Sequence, residues 1–140
     1  MAQSQVPTAE GFAEICNLVS GAGGTEVESV CAYSGTCTIA HQSSTFASPA
    51  NGAGAIHIVG NGLSLANADT VVRSTTMVTN DTCELDHVFT ASGSETVTGF
   101  CIANNADSII FAECCFNAGV AMVNSDTLTV EMKMQFKLGA

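Results

Sequence analysis

The end of the chain constrains the fold most. Between residues 126 and 138, Leu128, Val130, Met132, Met134, Phe136 and Leu138 alternate with Thr127, Thr129, Glu131, Lys133, Gln135 and Lys137. Successive side chains of a β-strand leave opposite faces of the sheet, so strict alternation predicts a strand with one buried and one wet face. At about 3.3 Å per residue it would run on the order of 40 Å, against a usual strand of roughly 5–6 residues. A strand of that length spans a whole sandwich or extends past its own subunit. Its six apolar residues are therefore the candidate subunit interface.

Upstream the same signal recurs in shorter form. Strands are expected over 26–33, 55–59, 70–79, 82–90, 96–103 and 108–116. Polar turns separate the later ones, at Asn80-Asp81, 91–95, 104–107 and 117–125. No helix-length segments alternate with these strands, which argues against a parallel α/β sheet. The expected fold is all-β: an antiparallel β-sandwich or jelly roll.

One helix is expected before it. Thr8 is a good N-cap, Phe12, Ile15, Leu18 and Val19 recur on one helical face, and Gly21-Ala22-Gly23-Gly24 stops the run. Residues 1–7 read as an extended arm. The chain thus divides into an arm and short helix, 1–24, and a β-sandwich domain, 25–140. Residues 34–54, rich in Ser, Thr, Ala and Gly, read as a long surface loop with a short strand near 37–40, or as an arm that packs on a neighbour. Residues 61–69 read as an irregular connection.

Charge excludes several partners. Three basic residues stand against thirteen acids in 140 residues, a net charge of −10. Such a surface repels phosphate backbones and anionic membranes, so no nucleic-acid and no membrane partner is expected. The start, MAQSQVPTAEGFAEICNLV, lacks the basic and apolar regions of a secretory leader, and no apolar run approaches the ~18 residues of a membrane span. If Met1 is the true start, the expectation is a protein that acts inside the cell or leaves it by lysis or another path than the usual secretory route.

Cys16, Cys31, Cys37, Cys83, Cys101, Cys114 and Cys115 are all candidate disulfide residues. No C-x-x-C pair is present, which weakens zinc and thioredoxin readings. They read either as small buried hydrophobes or as cross-links formed in an oxidising exterior, between subunits included. Cys114 and Cys115 are adjacent, so in a strand they face opposite sides and cannot serve the same core.

Catalytic constellations are sparse. Cys83 and His87 share a strand face with Leu85, but no third group orients them as a nucleophile and base. Asp81, Glu84 and Asp86 form an acidic cluster that reads as a solvated strand face, with a cation held between subunits as the alternative. Asn80-Asp81-Thr82 fits the glycosylation pattern but reads better as a hairpin turn. No enzyme activity, cofactor or resident metal is expected.

The second half resembles a known group. There, a strand of the type VTNDTAxLxHTFT leads to xxVTExGxFNA, then to a strand ending RxxF, and closes with VxxxDTLTVTxxxxF. The matching pieces here are 78–90, 96–104, 109–116 and 123–136, with 61–70 as a degenerate upstream match. On these motifs the chain is similar to small phage and prokaryotic-virus structural proteins, mainly over 61–138. The resemblance implies a non-enzymatic virion component: capsid decoration, tail or fibre-associated subunit. Its partners would be copies of itself and other virion proteins. The seven cysteines and the 34–54 segment depart from the group. They keep open an extracellular filament or surface-layer subunit held by disulfides. A cation- or glycan-binding β-sandwich module is the third reading.

Overall fold

A computed structural model describes residues 3–37, 40–75, 81–104 and 109–135. Two antiparallel sheets pack face to face, preceded by one short helix. The elements in chain order are β1 (Gln3–Pro7), α1 (Ala9–Ser20), β2 (Val27–Gly35), β3 (Ala55–His57), β4 (Ala66–Asn67), β5 (Thr70–Ser74), β6 (Thr82–Thr90), β7 (Glu95–Asn104), β8 (Ile110–Met122) and β9 (Thr127–Gln135). The larger sheet runs β1-β8-β7-β2-β3, with β4 also paired to β2; the smaller runs β5-β6-β9.

The final strand follows its alternation. Val130 is buried and Leu128, Met132 and Met134 are half-buried against the core, while Thr127, Thr129, Glu131 and Lys133 are exposed. β9 pairs with β6 over its whole length, Thr90↔Thr127 through Thr82↔Gln135. In the single chain, four of the six candidate interface residues thus face the molecule's own core. Phe136 and Leu138 lie outside the described residues, as does Asn80 of the expected hairpin turn.

Four departures from the expected elements have local causes. The arm is strand β1, which adds to the edge of β8 in the same chain, Gln3↔Phe116 to Pro7↔Ala112. The stretch 117–122 continues β8 instead of forming a connection; a bulge between Val97/Gly99 and their partners absorbs the register jump. The tight turn comes later, where Asp126 Oδ2 accepts the Val123 N–H at 2.9 Å. Finally, Ala66 and Asn67 form a two-residue strand inside the connection expected to be irregular, antiparallel to Val30 and Ser29.

The core between the sheets is apolar. Val30, Ala32, Phe100, Ile102, Ala112, Cys114 and Phe116 from the larger sheet meet Phe89 and Val130 from the smaller. Thr8 caps α1 by accepting the Gly11 N–H at 3.0 Å, and its hydroxyl donates to the Ile110 carbonyl, tying the helix start to β8. Gly11 sits against the β8 backbone: a Cβ there would lie 2.3 Å from the Phe111 oxygen.

Candidate functional site

The outer face of the larger sheet holds the densest chemistry. Register places Cys31 opposite Cys101, Cys101 opposite Glu113, and Glu113 opposite Val6. In the next row Tyr33 lies opposite Gly99, and Gly99 opposite Cys115. Residues 40–54 cover this face, and the Thr36 N–H donates to the Gly54 carbonyl at 3.2 Å at their base. Ala40, Ala50, Ala55 and Phe46 pack on Cys31, Tyr33, Cys101, Ile110 and Cys115 beneath it.

Glu113 latches the segment. Its side chain is 0% exposed. One carboxylate oxygen accepts the His41 N–H at 2.7 Å and the Ser44 hydroxyl at 2.6 Å; the other accepts the Ala50 N–H at 3.1 Å and the Tyr33 hydroxyl at 3.4 Å. Ser44 Oγ in turn accepts the Asn51 N–H at 2.9 Å. Ala50 and Asn51 have left-handed backbone, φ 48° and 51°, a strained conformation for residues with a Cβ that the Glu113 and Ser44 bonds hold in place. A buried carboxylate is tolerated because its lone pairs are satisfied.

The Cys37–Cys115 disulfide is the second tether. Its Cα atoms are 5.2 Å apart, inside the ordinary span of about 4.4–6.8 Å. Gly99 makes it fit, since a Cβ there would stand 3.0 Å from Cys37 Sγ.

Cys31 and His57 lie beside these tethers. His57 Nδ1 is 3.0 Å from Cys31 Sγ, and Nε2 is 2.8 Å from the Phe46 carbonyl. The Phe46 ring stacks on the imidazole at 4.3 Å, and Tyr33 meets it edge-on at 5.4 Å. Burial opposes the imidazolium charge, yet the bonds to Cys31 and Phe46 and the charge of Cys31 outweigh it and raise the His57 pKa. Burial is also the main reason that the Tyr33 hydroxyl and the Cys101 thiol hold their protons far above their usual range.

A second feature is apolar. The apolar stripe of α1 is not the face it buries. The buried residues are Gly11 and Glu14, whose carboxylate accepts the Thr25 N–H at 2.6 Å. Phe12 is 52% exposed, Leu18 42% and Val19 82%; only Ile15 packs against the core. Beside them a cleft of about 340 Å³ runs between the helix and the smaller sheet, lined by Ile15, Leu18, Val71, Cys83, Leu85 and Met134 among others. Val71, at its rim on β5, is half exposed.

The candidates from sequence scatter. Cys83 and His87 share a face of β6 with Leu85 between them, but Cys83 lines the apolar cleft while His87 Nδ1 lies 3.2 Å from Asp69 Oδ2. Glu84 and Asp86 share the outer face of β6, where both are half-buried and not fully solvated, and Lys133 lies 2.7 Å from Glu131 and 3.6 Å from Glu84. Asp81 instead accepts from Gln135 and from the Thr82 hydroxyl. Among the described residues no three His, Cys, Asp or Glu side chains are arranged to hold a metal ion. Of the cysteines, Cys37 and Cys115 are bridged, Cys16 is exposed and Cys114 is buried on the opposite face from Cys115, as adjacency in a strand requires. Burial, then the Glu113 charge, pushes the Cys114 thiol up to about 11.

Sequence reasoning missed Glu113 and the Cys31–His57 pair. Glu113 had a legible signal: it is the one charged residue in the run IIFAECCF, and an acid inside so apolar a strand is either an error or a buried acceptor. Cys31 and His57 had none, because 26 positions separate them. No helix among the described residues is long and apolar enough to cross a membrane. No protein-family model, no curated protein and no solved structure matches the chain.

Proposed function

We propose that the protein is a self-assembling structural subunit, and that the particle it builds is the virion of a phage or archaeal virus. One observation carries the assembly reading: α1 turns Phe12, Leu18 and Val19 outward beside an apolar cleft of about 340 Å³. Contiguous uncovered apolar surface marks interaction sites on folded proteins. Among the described residues β1, β5 and β9 are edge strands, onto which a neighbouring strand can add. The virion reading rests on the resemblance over 61–138 to small phage and prokaryotic-virus structural proteins. The work of such a subunit is packing: apolar faces give affinity, and strand edges give register.

The test is a concentration series of the purified protein followed by light scattering and negative-stain electron microscopy, with and without reductant. Regular shells, rings or tubes in both conditions support the proposal. Particles that dissolve in reductant would replace it with a filament or surface-layer subunit joined by disulfides. A stable monomer whose Tm rises with calcium or a glycan would replace it with a binding module.

A further inference from the structure

Four of the seven cysteines, Cys31, Cys37, Cys101 and Cys115, converge on the outer face of the larger sheet. Two of them are bridged. The other two lie directly opposite each other across β2 and β7, and their thiols are hydrogen-bonded. Directly opposed residues of antiparallel strands have Cα atoms about 4.5–5.5 Å apart, which is within disulfide span.

The neighbouring imidazole is set up to act on one of them. A carbonyl can only accept, so His57 Nε2 must carry the proton that it donates to Phe46. The neutral ring then presents the lone pair of Nδ1 to Cys31 Sγ at 3.0 Å. The tautomer is fixed by the covering segment itself, since Phe46 belongs to it.

We propose that Cys31 and Cys101 form a second disulfide site, closed by hydrogen peroxide with His57 as the base for Cys31. Both thiols are fully buried, so the oxidant must be as small as peroxide. His57 takes the Cys31 proton. The thiolate attacks one peroxide oxygen, the O–O bond breaks, and the departing hydroxide takes the proton back from the imidazolium and leaves as water. Cys31 is now a sulfenic acid. The Cys101 sulfur attacks it, the S–O bond breaks, and the hydroxyl leaves with the Cys101 proton as a second water. Two thiols lose two electrons and two protons, and one peroxide becomes two waters. Cys101 is the resolving partner, because the imidazole lies on Cys31 and Cys101 stands directly opposite it across the strands. The product would join β2 to β7 on the face where Cys37–Cys115 already joins the covering segment to β8.

The experiment uses the full chain with Cys16→Ser and Cys83→Ser, which leaves the thiols of Cys31, Cys101 and Cys114. Thiols are counted in denaturant before and after peroxide, and links are mapped by peptide mass. The expected result is a fall from three thiols to Cys114 alone, a mass loss of about 2 Da and a Cys31–Cys101 link. With Cys101→Ser added, unfolding the peroxide-treated protein in denaturant that contains dimedone should label Cys31. With His57→Gln, closure should slow roughly tenfold or more near neutral pH and lose the step set by the imidazole, rising instead with the thiolate fraction, while giving the same link. Retention of all three thiols, a link to Cys114, or sulfinic acid at Cys31 with Cys101 intact would overturn the proposal. So would an unchanged rate in His57→Gln.

Discussion

The two faces of the six-stranded sheet are both closed to water, by different means. The inner face is closed by side chains alone: Val30, Phe100, Ile102 and Phe116 meet Phe89 and Val130 of the second sheet. The outer face is closed by a segment whose buried residues are small, Cys37, Ala40, Ser44, Pro49 and Ala50, and burying such side chains removes little apolar area. That cover is instead held by three hydrogen bonds to one buried carboxylate and by one disulfide. The difference teaches that a strand pattern suffices to close a face against another sheet. A small-residue loop needs polar latches and cross-links to do the same.

The largest effect should come from the inner face. Phe89→Ala removes a ring that is 2% exposed and should lower stability by about 4 kcal/mol, read from urea denaturation. The transition should stay single, because the core belongs to both sheets. A loss under about 1 kcal/mol would mean that the inner face is not the main source of stability. Next is the covalent tether. Cys37→Ser with Cys115→Ser opens a cross-link spanning 78 residues and should cost about 3 kcal/mol. If the contrast holds, hydrogen exchange should accelerate in segment 40–54 well before it does in β6 and β9.

What could be read from sequence follows the same division. β6 and β9 show their alternation because one face packs and the other is more exposed, and they formed within a few residues of expectation, as did β7, which is buried on both faces from Gly99 onward. β2 and most of β8 are buried on both sides, so composition alone could not say what covered the second face. The 34–54 segment was legible as long and unusual, but its attachment depends on Glu113, about 70 positions away. The arm was legible as extended, yet nothing local could decide between pairing with β8 of its own chain and reaching a neighbour. Helix α1 misled most. Its apolar periodicity pointed to the buried face, and the need for close approach at Gly11 and a Thr25 acceptor at Glu14 turned the other face inward.

Smaller effects sharpen the polar half of the comparison. Glu113→Gln puts an amide NH₂ where one carboxylate oxygen accepts two donors, and should cost about 2 kcal/mol. An unchanged midpoint would show that the disulfide alone holds the cover. The His57 link should be smaller still and depend on pH. Its folded pKa lies above the unfolded value of 6.5, so the linked stability is complete below about pH 6.5 and fades as pH rises through the folded value. Protection factors in segment 40–54 should therefore fall between pH 6 and the alkaline side of that titration, and His57→Gln should flatten the change. Protection that rises with pH would reverse the assignment.

The smallest effect on stability should carry the largest effect on assembly. Val19 is 82% exposed on α1, so Val19→Glu changes no buried contact and should shift stability by no more than about 0.5 kcal/mol. It places a charge at the C-terminal end of the uncovered apolar stripe, beside Leu18 and the cleft. If that stripe is where subunits meet, the variant should lose its particles, or its higher mass in light scattering, while its denaturation midpoint stays put. A conservative Val19→Ile change should leave both intact. Assembly that survives Val19→Glu would move the contact to the edge strands, where main-chain pairing tolerates a charge at α1. Burial of both sheet faces answers for the stability of the single chain, whereas the outward stripe of α1 contributes nothing to it, and a contact between subunits gives that stripe a use.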